Sequence, residues 1–135
     1  MAINLSNKLG ESSYDGLITD VQPAPIVRGG TIRKLGSAGT IKRGTILAKS
    51  SGSAGDGKLV ILGTSAASNE TLTANCILCD DTDVGTAEDV NVPVYFAGCF
   101  DPNKVIVKEG YTVTEDDRDQ LRELGIHFKA ASAAN

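Results

Sequence analysis

The chain has 135 residues and a formal net charge of −4. This length suits one domain, which buries about two thirds of its unfolded surface in a single core. The acidic balance argues against a nucleic-acid partner, and the longest apolar runs, such as residues 59–62, are much shorter than a membrane span.

Residues 1–25 are predicted to form an extended N-terminal arm. Their apolar side chains follow neither the helical nor the strand period, and Pro23-Ala24-Pro25 removes backbone donors and favours an extended chain. The opening MAINLSNKLGESS lacks the basic flank, apolar stretch and cleavage site of a secretion signal, so we expect a soluble, unsecreted protein.

Residues 26–129 are predicted to form a compact, β-rich domain, a meander or small barrel. Segments rich in β-branched residues alternate with clusters of Gly, Ser, Asn and Asp, and these segments are TIRKL, IKRGTILAK, KLVIL, NCILC, VPVYFAGCF and KVIV. Residues 36–39 and 51–57 are expected as hairpin loops because glycine supplies the positive φ of tight turns. Pro93 has no N–H, so we expect it at a strand start or a sheet edge.

Charge is segregated along the chain. From Ile26 to Lys58 there are seven Lys or Arg residues and one carboxylate, Asp56, whereas residues 69–123 hold thirteen Asp or Glu against four basic residues. This asymmetry can orient association between molecules, although two solvated faces of opposite charge would give the same pattern.

One short helix is predicted near the C-terminus. Thr114 with Asp117 fits an N-cap followed by an acidic third position, Leu121 and Leu124 share one face, and Gly125 supplies the stop. These signals give a helix of roughly ten residues, or about 15 Å.

A strand is predicted after the helix, over residues 126–129. Ile126 and Phe128 are expected on its buried face, with His127 and Lys129 directed outward. Residues 130–135 are small and are expected to form a flexible tail. The predicted fold class is therefore α+β, mainly β.

The stretch NCILCDDTDV places Cys76 and Cys79 beside three aspartates. Residues three apart on a strand point to opposite faces, so these thiols are not expected to chelate one ion, and the chain has a single histidine and no second Cys-x-x-Cys. The acidic turn also fails the calcium-loop pattern at Thr82, Val84 and Asn91. The three cysteines, an odd number, are expected to be reduced and buried.

Two further motifs are near misses for catalytic chemistry. Residues 52–59 resemble a phosphate-binding loop, but Leu59 stands where a hydroxyl would hold magnesium, and a strand follows instead of a helix. Cys99 and His127 offer a nucleophile and a base, yet no glycine-rich oxyanion turn adjoins Cys99. We therefore predict a protein that is not an enzyme, with no catalytic residue, metal or other cofactor.

Three blocks occur in an informative order. The first runs from PIVRGGTI to IKRGTIL, the second from ANCILCDDTD to VPVYFAGCF, and the third is LRELGIHF. Over residues 24–129 the chain resembles the head decoration proteins of lambda-like tailed phages. KRGTIL, YFAGCF and LRELGIHF are the most characteristic pieces.

The resemblance implies a β-rich domain that trimerises on the outside of an icosahedral capsid, contacts the major capsid protein and stabilises the expanded head against internal DNA pressure. It implies a protein made in the host cytoplasm and located on the virion, with no membrane or direct nucleic-acid partner. In that family the arm orders on the shell and can extend a capsid-protein sheet, which fits an extended segment with free backbone groups. The arm residues expected to contact the shell are Leu5, Leu9, Leu17, Ile18, Pro23, Pro25 and Ile26. The resemblance gives Cys76, Cys79 and Cys99 no role beyond packing.

Two alternatives belong to other functional classes. A small β-clip-like ligand-binding or enzyme accessory domain would need a concave polar pocket around His127 or the acidic turn. A metal-dependent redox domain would use the three cysteines, and elemental analysis of the purified protein would detect its metal.

Overall fold

The computed structural model describes residues 16–130 and contains nine strands and one helix in that range. The strands are β1 (Ile18–Asp20), β2 (Ile26–Ile32), β3 (Gly39–Ile41), β4 (Ile46–Ser51), β5 (Leu59–Ile61), β6 (Thr71–Leu78), β7 (Thr82–Val84), β8 (Val90–Phe100) and β9 (Ile126–Phe128), and the helix is α1 (Glu115–Leu124).

Five strands close into a small barrel. β8 pairs with β2, β2 with β5, β5 with β4, β4 with β6, and β6 returns to β8. The pairing of β2 with β5 is parallel and the others are antiparallel, and β2 meets β5 at a single pair, Ile32 with Leu59. The barrel therefore has its fewest paired residues between β2 and β5.

The eleven-residue strand β8 extends beyond the barrel into a second layer. Past Ala97 it pairs with β1 in the antiparallel sense and with β9 in the parallel sense. Helix α1 packs against β6 and β9, while β3 and β7 form a separate two-stranded ribbon. The helix, β1 and β9 cover one outer side of the barrel, whereas Ile41 and Val84 of the ribbon pack with residues of the barrel interior.

The core has two parts, separated by the alternation of side chains along the strands. The barrel interior receives residues from all five of its strands, among them Ile32, Leu47, Leu59, Cys76 and Val94. The outer cluster lies between the barrel and α1, and its buried members include Leu17, Ile77, Cys79, Tyr95, Phe100, Leu121 and Ile126. Successive residues of one strand, such as Cys76 and Ile77 of β6, therefore lie in different clusters.

The helix prediction is confirmed. Thr114 and Asp117 form a reciprocal capping box, and Gly125 ends the helix at a φ of 105°. Leu121 is fully buried, but Leu124 is 48% exposed, so only one of the two leucines faces the core. The final strand also agrees with prediction, since Ile126 is buried and His127 is exposed. The prediction of an α+β, mainly β domain with a small barrel is confirmed.

One predicted hairpin is confirmed and the other is wrong. Residues 51–57 join β4 to its antiparallel partner β5, and Gly52 and Gly57 have positive φ values of 89° and 74°. Residues 36–39 lead from β2 to β3, but β3 pairs with β7, so this loop closes no hairpin. A glycine cluster marks a turn but carries no information about which strand pairs with which.

Pro93 lies inside β8, so the expectation of a strand start is wrong. Its carbonyl oxygen accepts from the Cys79 N–H at 3.1 Å, just beyond the last paired residue of β6. Both backbone groups of a strand residue face the same neighbour, so the proline nitrogen points to the place where β6 ends. The missing donor therefore breaks no ladder hydrogen bond.

Within residues 16–130 no helix is long and apolar enough to cross a membrane.

Candidate interaction surface

The seven predicted arm residues do not form one group. Leu5 and Leu9 lie outside the described residues. Leu17 is buried and Ile18 is half-buried in β1, whereas Pro25 is exposed and Ile26 is 47% exposed at the start of β2. Pro23, between them, is half-buried.

The prediction that Leu17 belongs to an extended arm is wrong. Its side chain is 2% exposed and lies in the outer core cluster, and its carbonyl accepts from the Asp101 N–H at 2.8 Å. Ile18 then pairs with Phe100 of β8. The sequence pattern missed this because a three-residue strand is too short to show a period. Any arm is therefore confined to residues 1–15, which we call the N-terminal segment.

A β-bulge brings two apolar side chains to the surface at the start of β2. The register shifts between Ile26, which faces Ala97, and Val27, which faces Tyr95. The extra residue of this bulge lies on β8, so β2 keeps its own alternation, and Ile26 and Val27 lie on opposite faces of the strand. Val27 is 55% exposed, and nearby Val21 is 73% exposed.

The outer edge of β2 is open beside these residues. On the side away from β8, β2 is paired only at its C-terminal end, where the bridge of Ile32 with Leu59 uses the Arg33 N–H and the Thr31 C=O, and within residues 16–130 no backbone partner reaches positions 26–30 on that side. Gly29 faces Pro93, whose polar groups point toward β6, so the Gly29 N–H and C=O point away from β8. A Cβ on Gly29 would meet no atom within 4 Å.

We call this feature the β2 edge surface: the exposed side chains of Val21, Ile26 and Val27 together with the outer backbone edge of residues 26–30. The two faces of the edge differ chemically. One carries the apolar Val27, while the other carries the exposed Arg28, whose guanidinium lies 5.6 Å from the centre of the Phe96 ring. Arg33 and Lys34 follow, and no carboxylate occurs between Ile26 and Leu35. Arg28 is therefore the charge that the edge itself presents, because Arg33 is paired with Asp56 and Glu70.

An ion network anchors the end of this edge. The Arg33 guanidinium donates to Asp56 at 2.9 Å and to Glu70 at 2.6 Å. The hydrogen bond from Arg33 lowers the pKa of Asp56 to about 2. Hydrogen bonds from the Ala67 N–H, the Ser50 hydroxyl and Arg33 lower the pKa of Glu70 to about 2. Both carboxylates are therefore charged at neutral pH: Asp56 ties the β4–β5 hairpin to the end of β2, and Glu70 ties the start of β6 to it.

A shallow groove lies beside His127. Its volume is about 240 Å³, and its lining residues are Arg118, Arg122, Ile126, His127 and Phe128. Arg122 also forms an ion pair with Asp119 on the helix surface. The lining of this groove offers one imidazole and two guanidinium groups, but no thiol or hydroxyl to act as a nucleophile. It suits a small anion better than a covalent reaction.

The cysteines are free and buried. Cys76 lies in the barrel interior and Cys79 in the outer cluster, as expected for residues three apart on one strand. Burial raises the pKa of Cys76 to about 12 and that of Cys79 to about 11, so both are neutral thiols at pH 7. Within residues 16–130, no three His, Cys, Asp or Glu side chains converge as metal ligands would.

The acidic turn after β6 is held by Arg43. The backbone N–H of Arg43 donates to the Asp81 carboxylate at 2.7 Å. The Arg43 guanidinium donates to the Cys79 carbonyl and to the Tyr95 hydroxyl. The same guanidinium lies 5.5 Å from the centre of the Tyr95 ring. The turn therefore has a packing role, since it closes the end of the barrel around a half-buried arginine.

The chain matches no protein-family model and no curated protein. The resemblance to phage head decoration proteins therefore remains a prediction from residues 24–129. The role of the β2 edge surface therefore follows from its own side chains and backbone groups.

Sequence reasoning identified only part of this surface. Ile26 was predicted, but Val27, Arg28 and the open backbone at Gly29 were not. One signal was available: two adjacent glycines inside a strand, Gly29-Gly30, mark a place where another backbone can approach closely. The bulge has no local signal because it depends on the register with β8.

Proposed function

We propose that the chain is a capsid decoration protein, which binds the outside of an expanded phage head as a homotrimer and stabilises it against internal DNA pressure. Its partner is the major capsid protein, and its location is the virion surface after synthesis in the host cytoplasm. The proposal joins the order of the KRGTIL, YFAGCF and LRELGIHF blocks to the chemistry of the β2 edge surface.

The β2 edge surface is the observation that carries the proposal. Unpaired backbone groups beside exposed Val21, Ile26 and Val27 suit a protein partner, because both the hydrogen-bonding and the apolar parts are satisfied by another chain. Such contacts are weak individually, and three copies held together on a regular lattice raise the effective affinity. Docking of three copies at once therefore allows a small domain with individually weak contacts to bind the shell firmly.

The test is addition of the purified protein to expanded heads of lambda-like phages that lack decoration, followed by imaging. Three-fold positions are expected to fill to saturation. Deleting residues 2–15 is expected to leave a folded domain, because Leu17 and β1 are kept, and to abolish filling. Deleting residues 131–135 is the control and is expected to leave filling unchanged. Full occupancy by the shortened chain would contradict a binding role for the N-terminal segment.

The groove beside His127 favours a second candidate, the small ligand-binding domain. Its two arginines and one imidazole suit an anionic ligand. A saturable shift in unfolding temperature with citrate or phosphate, lost in both His127→Ala and Arg118→Ala, would favour this candidate. A shift retained in both variants would count against it.

A further inference from the structure

The open edge of β2 has the features of a site for one added strand. The outward N–H and C=O of Gly29 provide a pair of hydrogen bonds to a neighbouring extended chain, and residue 27 continues the same edge. The first four residues of β2 are exposed, so an incoming backbone meets no covering loop there. Gly29 also leaves room for close approach, since a Cβ there would meet no atom within 4 Å, whereas the space beside Gly30 is filled by Leu59.

The two faces of the edge define the side chains of the incoming strand. Residues that lie on the face of Val27 contact an exposed apolar side chain and are best apolar. Residues on the opposite face lie near the Arg28 guanidinium and are best acidic. Because side chains alternate along a strand, the matching sequence alternates apolar and acidic residues.

The charge of the edge argues against a second copy of this chain as the occupant. Pairing two β2 edges in an antiparallel sense about Gly29 places the Arg28 side chains of both copies diagonally on one face, with no carboxylate in either strand. Like charges across a strand pair are destabilising. An acidic segment from a different protein meets the same edge favourably.

We propose that the β2 edge surface binds an extended segment of the major capsid protein, in which apolar and acidic residues alternate, as an additional strand beside β2. This rests on the proposed function for the identity of the partner, whereas the strand chemistry rests on the edge itself. It adds a receiving site on the folded domain to the contacts expected from the N-terminal segment.

The first experiment uses a synthetic probe, the peptide Thr-Glu-Val-Glu-Val-Glu-Thr, titrated into the full-length isotope-labelled chain. Saturable shifts in the amide spectrum are expected at residues 26–31 and at their neighbours on β8. The same peptide with lysine for glutamate, or with alternate amides N-methylated, is expected to give no saturable shift. Equal binding of the N-methylated peptide, shifts confined to another surface, or no shifts with the acidic peptide would overturn the strand site.

Variants at Gly29 separate the backbone from the side chains. Gly29→Pro removes the outward N–H but no bond to β8, because Gly29 faces Pro93 in a pair that is not hydrogen-bonded. It is expected to weaken peptide binding by roughly tenfold, about the value of one hydrogen bond with its geometry. Gly29→Ala keeps the N–H and is the matched control, expected to bind within about twofold of the parent chain. Equal affinities for the two variants would overturn the strand site.

A charge reversal provides a second route if Gly29→Pro does not fold. Arg28→Glu is expected to lose binding of the acidic peptide and to bind the lysine peptide. Lys34→Glu makes the same change in net charge but lies past Ile32, where β2 is already paired with β5, and is expected to keep the preference for the acidic peptide. An identical effect of both substitutions would show attraction by net charge alone and would overturn the site.

Undecorated heads then separate the two proposals. If the parent chain fills the heads and Gly29→Pro does not, both stand. If Gly29→Pro fills them as well as Gly29→Ala, the strand site is wrong while the decoration function stands. If the peptide binds the edge but the parent chain fills no heads, the decoration function is wrong and the assignment of the strand to a capsid protein falls with it.

Discussion

Leu17 shows how one residue changes the boundary of the domain. It lies in a stretch without periodic pattern, yet its side chain is 2% exposed and packs against the outer core cluster. One of its methyl groups lies beside Gly44, at 3.4 Å from where a Cβ on that residue would be. The folded domain therefore begins at least nine residues before β2.

Leu17→Ala is expected to lower the free energy of unfolding by about 2–5 kcal/mol, because it leaves a cavity in the core. Val21→Ala, at a side chain that is 73% exposed, is the control and is expected to change it by less than about 0.5 kcal/mol. Urea unfolding followed by circular dichroism measures both. A small effect at Leu17 would return this residue to the arm.

Asp56 and Glu70 predict the response of the domain to acid. Their folded-state pKa values of about 2 lie below the ordinary values near 4, so their contribution to stability is complete above about pH 4.5 and is lost as pH falls toward 2. Glu70→Gln is expected to flatten part of this decline in urea midpoints between pH 4.5 and 2. Glu109→Gln, at an exposed position, is the control. An unchanged pH profile in Glu70→Gln would contradict the anchoring role of the network.

Helix α1 is the element whose ends follow most directly from local chemistry. The Thr114 hydroxyl accepts from the Asp117 N–H at 3.1 Å, and the Asp117 carboxylate accepts from the Thr114 N–H at 3.1 Å and from the Tyr111 hydroxyl. Gly125 adopts a left-handed φ that other residues rarely adopt. Both ends of the helix are thus determined by residues within three or four positions of it.

Removal of either cap is expected to destabilise the domain by about 1 kcal/mol, for Thr114→Ala through the lost hydroxyl and for Gly125→Ala through the strained φ. Thr114→Ser keeps the acceptor and is expected to remain within about 0.5 kcal/mol of the parent chain. Thermal unfolding followed at 222 nm measures all three. Equal losses in Thr114→Ser and Thr114→Ala would show that the methyl group, and not the cap, is responsible.

Elements defined by short-range signals were predictable, and elements defined by pairing were not. The helix, the 51–57 hairpin and the strand after the helix all follow from neighbouring residues. The partner of β3 and the bulge beside Ile26 and Val27 depend on contacts with strands more than forty residues away, and the place of Pro93 depends on where β6 stops pairing with β8. The sequence therefore indicates only part of the β2 edge surface, namely Ile26 and the glycine pair.

At the scale of the whole molecule, the decoration proposal predicts a trimer. Light scattering after gel filtration is expected to give a mass near three times the 14.0 kDa of one chain. The Gly29→Pro variant is expected to give the same mass, because the strand site is assigned to a different partner. A monomer at high protein concentration would remove trimerisation from the proposal.

The position of β1 beside β8 has a mechanical consequence. The chain enters the domain at Gly16, immediately before a buried leucine and three residues aligned with β8. A force applied to the N-terminal side of β1 along the strand direction acts on the Leu17–Asp101 hydrogen bond and on the β1–β8 pairs at the same time. These bonds then share the force and do not break one after another. The same tether would slip more easily if it were pulled sideways, so the domain resists traction best in one direction.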